Sequence, residues 1–447
     1  MADRRAFLRT AGAEPGVTRS PVDAVSYLTV FLFLLIAVPT EQTIGALGSI
    51  GSPALLWAVG GGLWWCWQQL QRQDSVRRYR PSPVKLAAAA YLAIVLISYA
   101  GAMFRGLPDK ETSPADAGLL KVAAWVGFVL FVSDGIPNRQ RLLVLLRRLC
   151  MAVGLLALLG LLQFATKQSL IDWLTIPGLS ASSDSTLQIR SGFARSSGTA
   201  SHPLEYGFVL TVCLPIALSL AISDTVRSRI RRWMPVTLIA AAAVLAVSRS
   251  TMVGILIGLV VLVPTLPTRL RLIALGGAAA AAAAVYLLVP GLVGTIRGLF
   301  SGIGTTDAST ASRVGSYDLV AQFISRSPLI GRGAGTFLPQ YWILDNQILQ
   351  SAIEIGLLGV SALLGLCITA FWSTIVWRGE RQNELGRRAG HGVGAGIAVG
   401  TILLATFDVF SFPMATGVLF LLIGTAGAHH RIAMVESRSG TLDTELE

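Results

Sequence analysis

Residues 203–222 read PLEYGFVLTVCLPIALSLAI, twenty positions with one charged side chain, Glu205. As a helix rising 1.5 Å per residue, such a run is about 30 Å long, the thickness of a bilayer's hydrocarbon core. Its two flanks differ. Before it stands Arg195-Ser196-Ser197-Gly198-Thr199-Ala200-Ser201-His202, rich in hydroxyls with one guanidinium. After it, residues 223–233 carry Arg227, Arg229, Arg231 and Arg232. An apolar run with its basic charge gathered at one end reads as a membrane span whose basic end faces the cytoplasm.

The same reading extends in both directions. The chain is 53% hydrophobic and 13% charged, with a mean hydropathy of +0.64. Candidate spans fall at roughly 24–40, 53–70, 84–103, 118–133, 143–164, 203–222, 234–247, 251–265, 272–290, 347–377, 392–408 and 412–428. The predicted fold is all-α: a polytopic membrane protein of about 12 spans with a large helical extracytoplasmic loop. With the N-terminus inside, 25 of the 36 Lys and Arg fall in inside segments, 10 in outside segments, and Lys121 within a span. That asymmetry sets the orientation, with both termini cytoplasmic. The predicted organisation is a basic cytoplasmic arm (1–22), a single transmembrane domain (23–428) that includes extracytoplasmic loops at 165–202 and 291–345, and a cytoplasmic tail (429–447).

Composition also excludes. A net charge of +12 suggests nucleic acid in a soluble chain. Here most of it lies in loops facing anionic headgroups, so no nucleic-acid partner is expected, and membrane lipids are. Arg4-Arg5 is followed by polar, proline-containing sequence rather than an apolar run, which argues against an export signal. Cys66, Cys150, Cys213 and Cys367 have neither metal-ligand spacing nor a disulfide pattern. Gly60-Gly61-Gly62 is expected to break its helix or pack it closely. The alanine run 278–284 is expected to pack among helices rather than against lipid.

The outside cations are the exceptions that topology does not explain. Arg195 with its neighbouring hydroxyls suits a phosphate or sugar phosphate. Ser248-Arg249-Ser250 joins two short apolar runs, and an arginine at that depth needs a polar cavity or an anion. In the large loop, Ser309 to Ile324 reads as a capped amphipathic helix with Leu319, Val320, Phe323 and Ile324 on its buried face. Arg313 then falls at the cap or first turn, where free N–H groups also attract anions. Downstream, Ser327-Pro328-Leu329-Ile330-Gly331-Arg332-Gly333-Ala334-Gly335 has glycines but no preceding strand or following lysine, so it is a flexible re-entry toward the membrane rather than a nucleotide loop. Asp345 and Asn346 then open the tenth span, either as a simple N-cap or as polar groups at a site.

In this order and spacing, these constellations resemble the O-antigen ligase and O-antigen polymerase superfamily, multispanning bacterial glycosyltransferases of the GT-C type. The likeness is carried by Arg195 to Thr199 with His202-Pro203, by Ser248-Arg249, by Arg313, by Pro328 to Phe337, and by Asn346 to Gly359, which looks like the family's Asn-x-x-Leu-Gln…Glu-x-Gly-Leu-Leu-Gly. One departure stands out: many members have a histidine where this chain has Asp345.

The resemblance implies a polyprenyl-diphosphate-linked glycan donor, transferred outside the membrane to a hydroxyl of a glycan or lipid-glycan acceptor. Arg195, Arg249 and Arg313 are the candidates to hold the diphosphate, with Arg313 also counted as catalytic. Asp345 is the first candidate for the base, with His202 and Glu205 behind it and Asn346 as a further candidate. The outer loops hold no Asp-x-Asp motif, so neither metal nor cofactor is expected. A transporter or flippase of lipid-linked glycans is the rival reading.

Overall fold

The computed structural model describes residues 23–71, 82–181, 188–190, 193–246, 248–288, 317, 319–375 and 384–444. Arg313 therefore lies outside the described residues, as do Ser309 to Ser316 and the arm 1–22.

The described chain is almost wholly helical. In order the helices are α1 (Ala24–Ile36), α2 (Pro53–Gln71), α3 (Pro83–Arg105), α4 (Asp109–Gly135), α5 (Arg139–Thr166), α6 (Pro203–Ser223), α7 (Arg229–Leu245), α8 (Arg249–Leu262), α9 (Thr268–Leu288), α10 (319–326), α11 (Gln347–Glu354), α12 (Gly356–Ile375), α13 (Glu384–Leu403) and α14 (Pro413–Thr444). Each predicted apolar run overlaps one of these helices, except 347–377, which overlaps two. Six are long and apolar enough to cross a membrane: α3, α4, α5, α6, α12 and residues 413–437 of α14. The apolar helices Ala24–Ile36 and Arg249–Thr265 are shorter. Two small antiparallel pairs, β1 (Gln42–Thr43) with β2 (Ser180–Ala181) and β3 (Gln188–Arg190) with β4 (Phe193–Arg195), stitch the loops at one end.

Two helices form the centre. In α6 and α14, 78% of the apolar window is buried, against 28% in α3, which is left as a lipid-facing edge. Small residues set the close approaches between helices. On α13, a Cβ added at Gly396 would lie 2.5 Å from the Val212 carbonyl of α6, and one at Gly392 would meet Ser219 at 2.7 Å. Gly62 backs onto Gly127 of α4, so the glycine triplet packs α2 closely and does not break it. The alanine-rich α9 departs from expectation. Its described side chains are mostly exposed, its neighbours are α7 and the turn after α8, and nothing approaches Gly276 or Gly277 within 4 Å. The predicted boundary at 428 lies inside α14, whose buried His429 and Ile432 continue the packed face.

The run 347–377 was expected as one span and is two helices, α11 and α12, broken at Ile355–Gly356. A helix break strands carbonyls on one side and N–H groups on the other. Here the re-entrant loop satisfies both. Arg332 N donates to the Ile353 carbonyl (3.0 Å) and Gly333 N to that of Glu354 (2.7 Å), while Leu357 N and Leu358 N donate to Pro328 O (2.9 Å) and Leu329 O (3.1 Å). The contact is backbone on backbone, so it needs glycine. Gly331 (φ +69°) and Gly356 (φ +70°) have the left-handed conformation, and a Cβ on either would come within 2.4 Å of a carbonyl oxygen.

A small apolar cluster locks the loop above this junction. Val320 of α10, Phe337, Leu344 and Ile353 are buried together, with Leu319, Phe323 and Ile324 packed against them. Those α10 residues are the apolar face expected from the sequence. Arg332 ties the loop to α4 through Glu111 (2.8 Å), whose same oxygen accepts from Tyr341 (2.6 Å).

Candidate functional site

The candidate residues gather at the end of the molecule that holds the loops. The N-termini of α6, α8 and α11 lie there, with the connection from α13 to α14. Gln347 fixes α11 to that connection: its N–H donates to Leu404 O (2.9 Å) and Phe407 O (3.1 Å), and its Oε1 accepts from Phe410 N (2.7 Å). Glu205 fixes α6 to α14. One carboxylate oxygen accepts from Met414 N (2.6 Å) and Ala415 N, the other from Ser201 N (2.9 Å), Ser201 Oγ and Thr40 Oγ1. Glu205 thus serves as a carboxylate cap on the N-terminus of α14, where negative charge is favoured. With both oxygens engaged and the side chain fully buried, its geometry is that of a structural tie rather than of a base facing a substrate.

The hydroxyls beside Arg195 are similarly occupied. Thr199 Oγ1 donates to the Ile36 carbonyl, and Ser201 Oγ to Glu205. Gln163 of α5 accepts from Gly198 N (2.8 Å) and donates to Gly198 O (3.0 Å), which holds this glycine at φ +61°. The stretch therefore folds itself into a collar in which Arg195 is buried. Arg249 opens α8. It lies two residues before Thr251, which packs on Gly207 of α6 so closely that a Cβ there would meet Thr251 Oγ1 at 2.1 Å. That contact sets Arg249 at the same level as the α6 N-terminus.

His202 is the N-cap of α6, and its Nδ1 accepts from Leu204 N (3.1 Å). An accepting Nδ1 leaves the proton of a neutral ring on Nε2. Burial and then the Arg195 guanidinium push His202 below the ordinary histidine range, while Asp345 pulls it back up. It is therefore neutral at pH 7 and offers an N–H donor. Acting as a base would require Nδ1, whose lone pair holds the cap, to take up a proton instead.

Asp345 faces His202 and Asp408 and is half-buried. The N-cap of α11 is Asn346, whose Oδ1 accepts from Ile348 N (3.0 Å) and Leu349 N (3.1 Å). Capping therefore accounts for Asn346 and leaves Asp345 without that role. Asp408, in the α13–α14 connection, was not anticipated from the sequence. Burial raises its pKa above the usual carboxylate range, Ser411 lowers it, and the neighbouring Asp345 raises it again. Two acids and a neutral histidine thus lie within electrostatic reach of one another, with Arg195 beside the histidine. Glu354 was quoted only as part of a motif. Its side chain accepts from Gln350 Nε2 (3.3 Å) and the Gly335 and Phe337 amides, and Lys121 of α4 acts on it electrostatically from a neighbouring helix. Among the described residues no group of three or more His, Cys, Asp or Glu is placed to hold a metal ion.

Residues 234–364 match the family model described as O-antigen ligase. Over that segment the chain is similar to the O-antigen ligase family, which supports a role in surface polysaccharide assembly. The matched segment runs from α7 into α12 and includes Arg249, Arg313, Asp345 and Asn346. Arg195, His202 and Asp408 lie outside it and join the candidate site through the fold. No curated protein matches the chain.

Proposed function

We propose that this protein transfers a glycan from a polyprenyl-diphosphate donor to an acceptor hydroxyl, in cell-surface polysaccharide assembly, at the outer face of the cytoplasmic membrane, with about twelve spans and both termini inside. The observation that carries the reading is that Asp345, relieved of capping by Asn346, faces His202 while Arg195 stands beside the same ring. In the reaction the acceptor oxygen forms a bond to the anomeric carbon as the bond from that carbon to the diphosphate oxygen breaks. The acceptor proton passes to the Asp345 carboxylate, and the electron pair leaves with the polyprenyl diphosphate. Charge develops on that leaving group, so fixed cations there lower the barrier most. Arg195, Arg249 and Arg313 fill that role, His202 adds a neutral donor, and Asp408 orients the acid pair.

The test uses purified protein in proteoliposomes with a lipid-linked oligosaccharide. The expected result is glycan joined to acceptor and free polyprenyl diphosphate. Movement of intact donor across the bilayer with no bond broken would establish the flippase reading instead.

A further inference from the structure

At the opposite end of the helices, α5, α6 and α7 line a cleft open to solvent. Its rim holds Arg147, Arg227, Arg231 and Arg232 against a single acid, Asp224. Asp224 is already taken: Arg147 donates to its Oδ2 from Nε (2.8 Å) and Nη2 (2.7 Å). No salt bridge among the described residues reaches Arg227, Arg231 or Arg232, and Arg232 Nε is buried with no hydrogen-bond partner. The charge is also badly placed for α7 itself. Arg229, Arg231 and Arg232 crowd its first turn, where the helix dipole repels cations, and Ser228 makes no side-chain cap. An anion in the cleft would meet the guanidinium groups and relieve the uncapped N-terminus together.

We infer that this cleft seats the phosphate headgroup of an anionic phospholipid. Two features favour a lipid over free phosphate. The floor of the cleft is apolar, formed by Met151, Leu220 and Pro235 among others. Interleaved with the arginines, Val226 and Ile230 are 90% and 79% exposed, an arrangement suited to apolar side chains dipping into a membrane surface while neighbouring arginines hold a phosphate. Topology alone asks for basic residues somewhere in this loop; it does not ask for three of them around one cleft.

The test is lipid-dependent thermal stability of the detergent-purified full chain, read alongside native mass spectrometry of retained lipid. Phosphatidylglycerol in hundredfold excess over its Kd is expected to raise the melting temperature by about 3 °C. Phosphatidylcholine and inorganic phosphate should not. The variant R227Q/R231Q/R232Q should lose the shift and the retained lipid while melting like the wild type in phosphatidylcholine. The control R269Q/R387Q should keep both. An equal shift with inorganic phosphate, retention of the shift in the triple variant, or equal loss in the control would each overturn the assignment.

Discussion

The two ends of the helix bundle handle their carboxylates in opposite ways. At the basic end, acids are partners for cations: Asp134 with Lys85 (2.9 Å), Glu436 with Arg139 (2.5 Å), Asp224 with Arg147, Asp23 with Arg141, and Glu384 with Arg388. At the loop end, apart from the Glu111–Arg332 tie, backbone amides do that work. Glu205 is held by Met414, Ala415 and Ser201, and Glu354 by Gly335 and Phe337. At the first end the acids are used up in holding helices together. At the second end Glu205 and Glu354 are held by backbone dipoles, and the proposed function places Arg195 and Arg249 toward an anionic substrate.

Breaking the comparison at the loop end should give the largest effect on chemistry. Arg249→Ala and Arg313→Ala are each expected to reduce transfer by at least about a hundredfold, the usual loss when a charge-stabilising donor is removed. Expression should stay normal, since a cation opening a helix contributes nothing to that helix. Lysine at either position should rescue in part, lacking the bidentate fork. Arg326→Ala should be mild, because Arg326 lies over the Phe323 ring, 5.8 Å from its centre, rather than at the site. Equal losses at all three positions would point to general disruption of the loop.

The basic end should respond in stability and not in chemistry. Lys85→Met leaves Asp134 buried beside Trp65 without its cation and should cost about 3–5 kcal/mol. Adding Asp134→Leu should recover most of it, since a buried pair replaced by apolar residues is often neutral. Unfolding in detergent measures both, and the folded fraction should transfer glycan at the normal rate. Between the two ends, Gly356→Ala should lower stability and transfer together, by about 1–3 kcal/mol for the strained backbone alone, because it forces the loop off the helix break.

The smallest effect concerns pH. The donor form of His202 is the neutral ring, present above its folded pKa and lost as pH falls through it. Burial and Arg195 set that pKa below 6.5, so the histidine-dependent acid limb of kcat/KM should lie below pH 6.5. His202→Asn keeps both the cap and a donor, and is expected to cost about tenfold or less while removing that limb. A limb that persists unchanged in the asparagine variant would assign it to Asp345 or Asp408.

Hydropathy made the helices legible, because a run such as 203–222 has one structural use in a membrane. It did not reveal the break at Gly356, which depends on a positive φ and on carbonyls supplied by residues 328–333, a contact with no signature in local composition. The arginines of the site were legible because they violate a charge rule. Asp345 and Asn346 were ambiguous as a pair; hydrogen-bond geometry separated them by giving the cap to Asn346. Glu205 reads as a candidate base only until Met414 and Ala415 are seen to occupy it. Asp408 carries no motif at all and becomes visible only through its approach to Asp345.

The most direct test is Asp345→Asn in an in vitro transfer assay with a lipid-linked donor. Asparagine keeps the shape and hydrogen-bonding capacity, and Asn346 keeps the helix capped, so donor binding and melting temperature should be unchanged. Loss of a general base typically lowers turnover by about 10²–10⁴-fold, and that fall is expected here, with Asp345→His recovering part of it. Near-wild-type turnover in the asparagine variant would contradict the account and remove Asp345 from the chemistry.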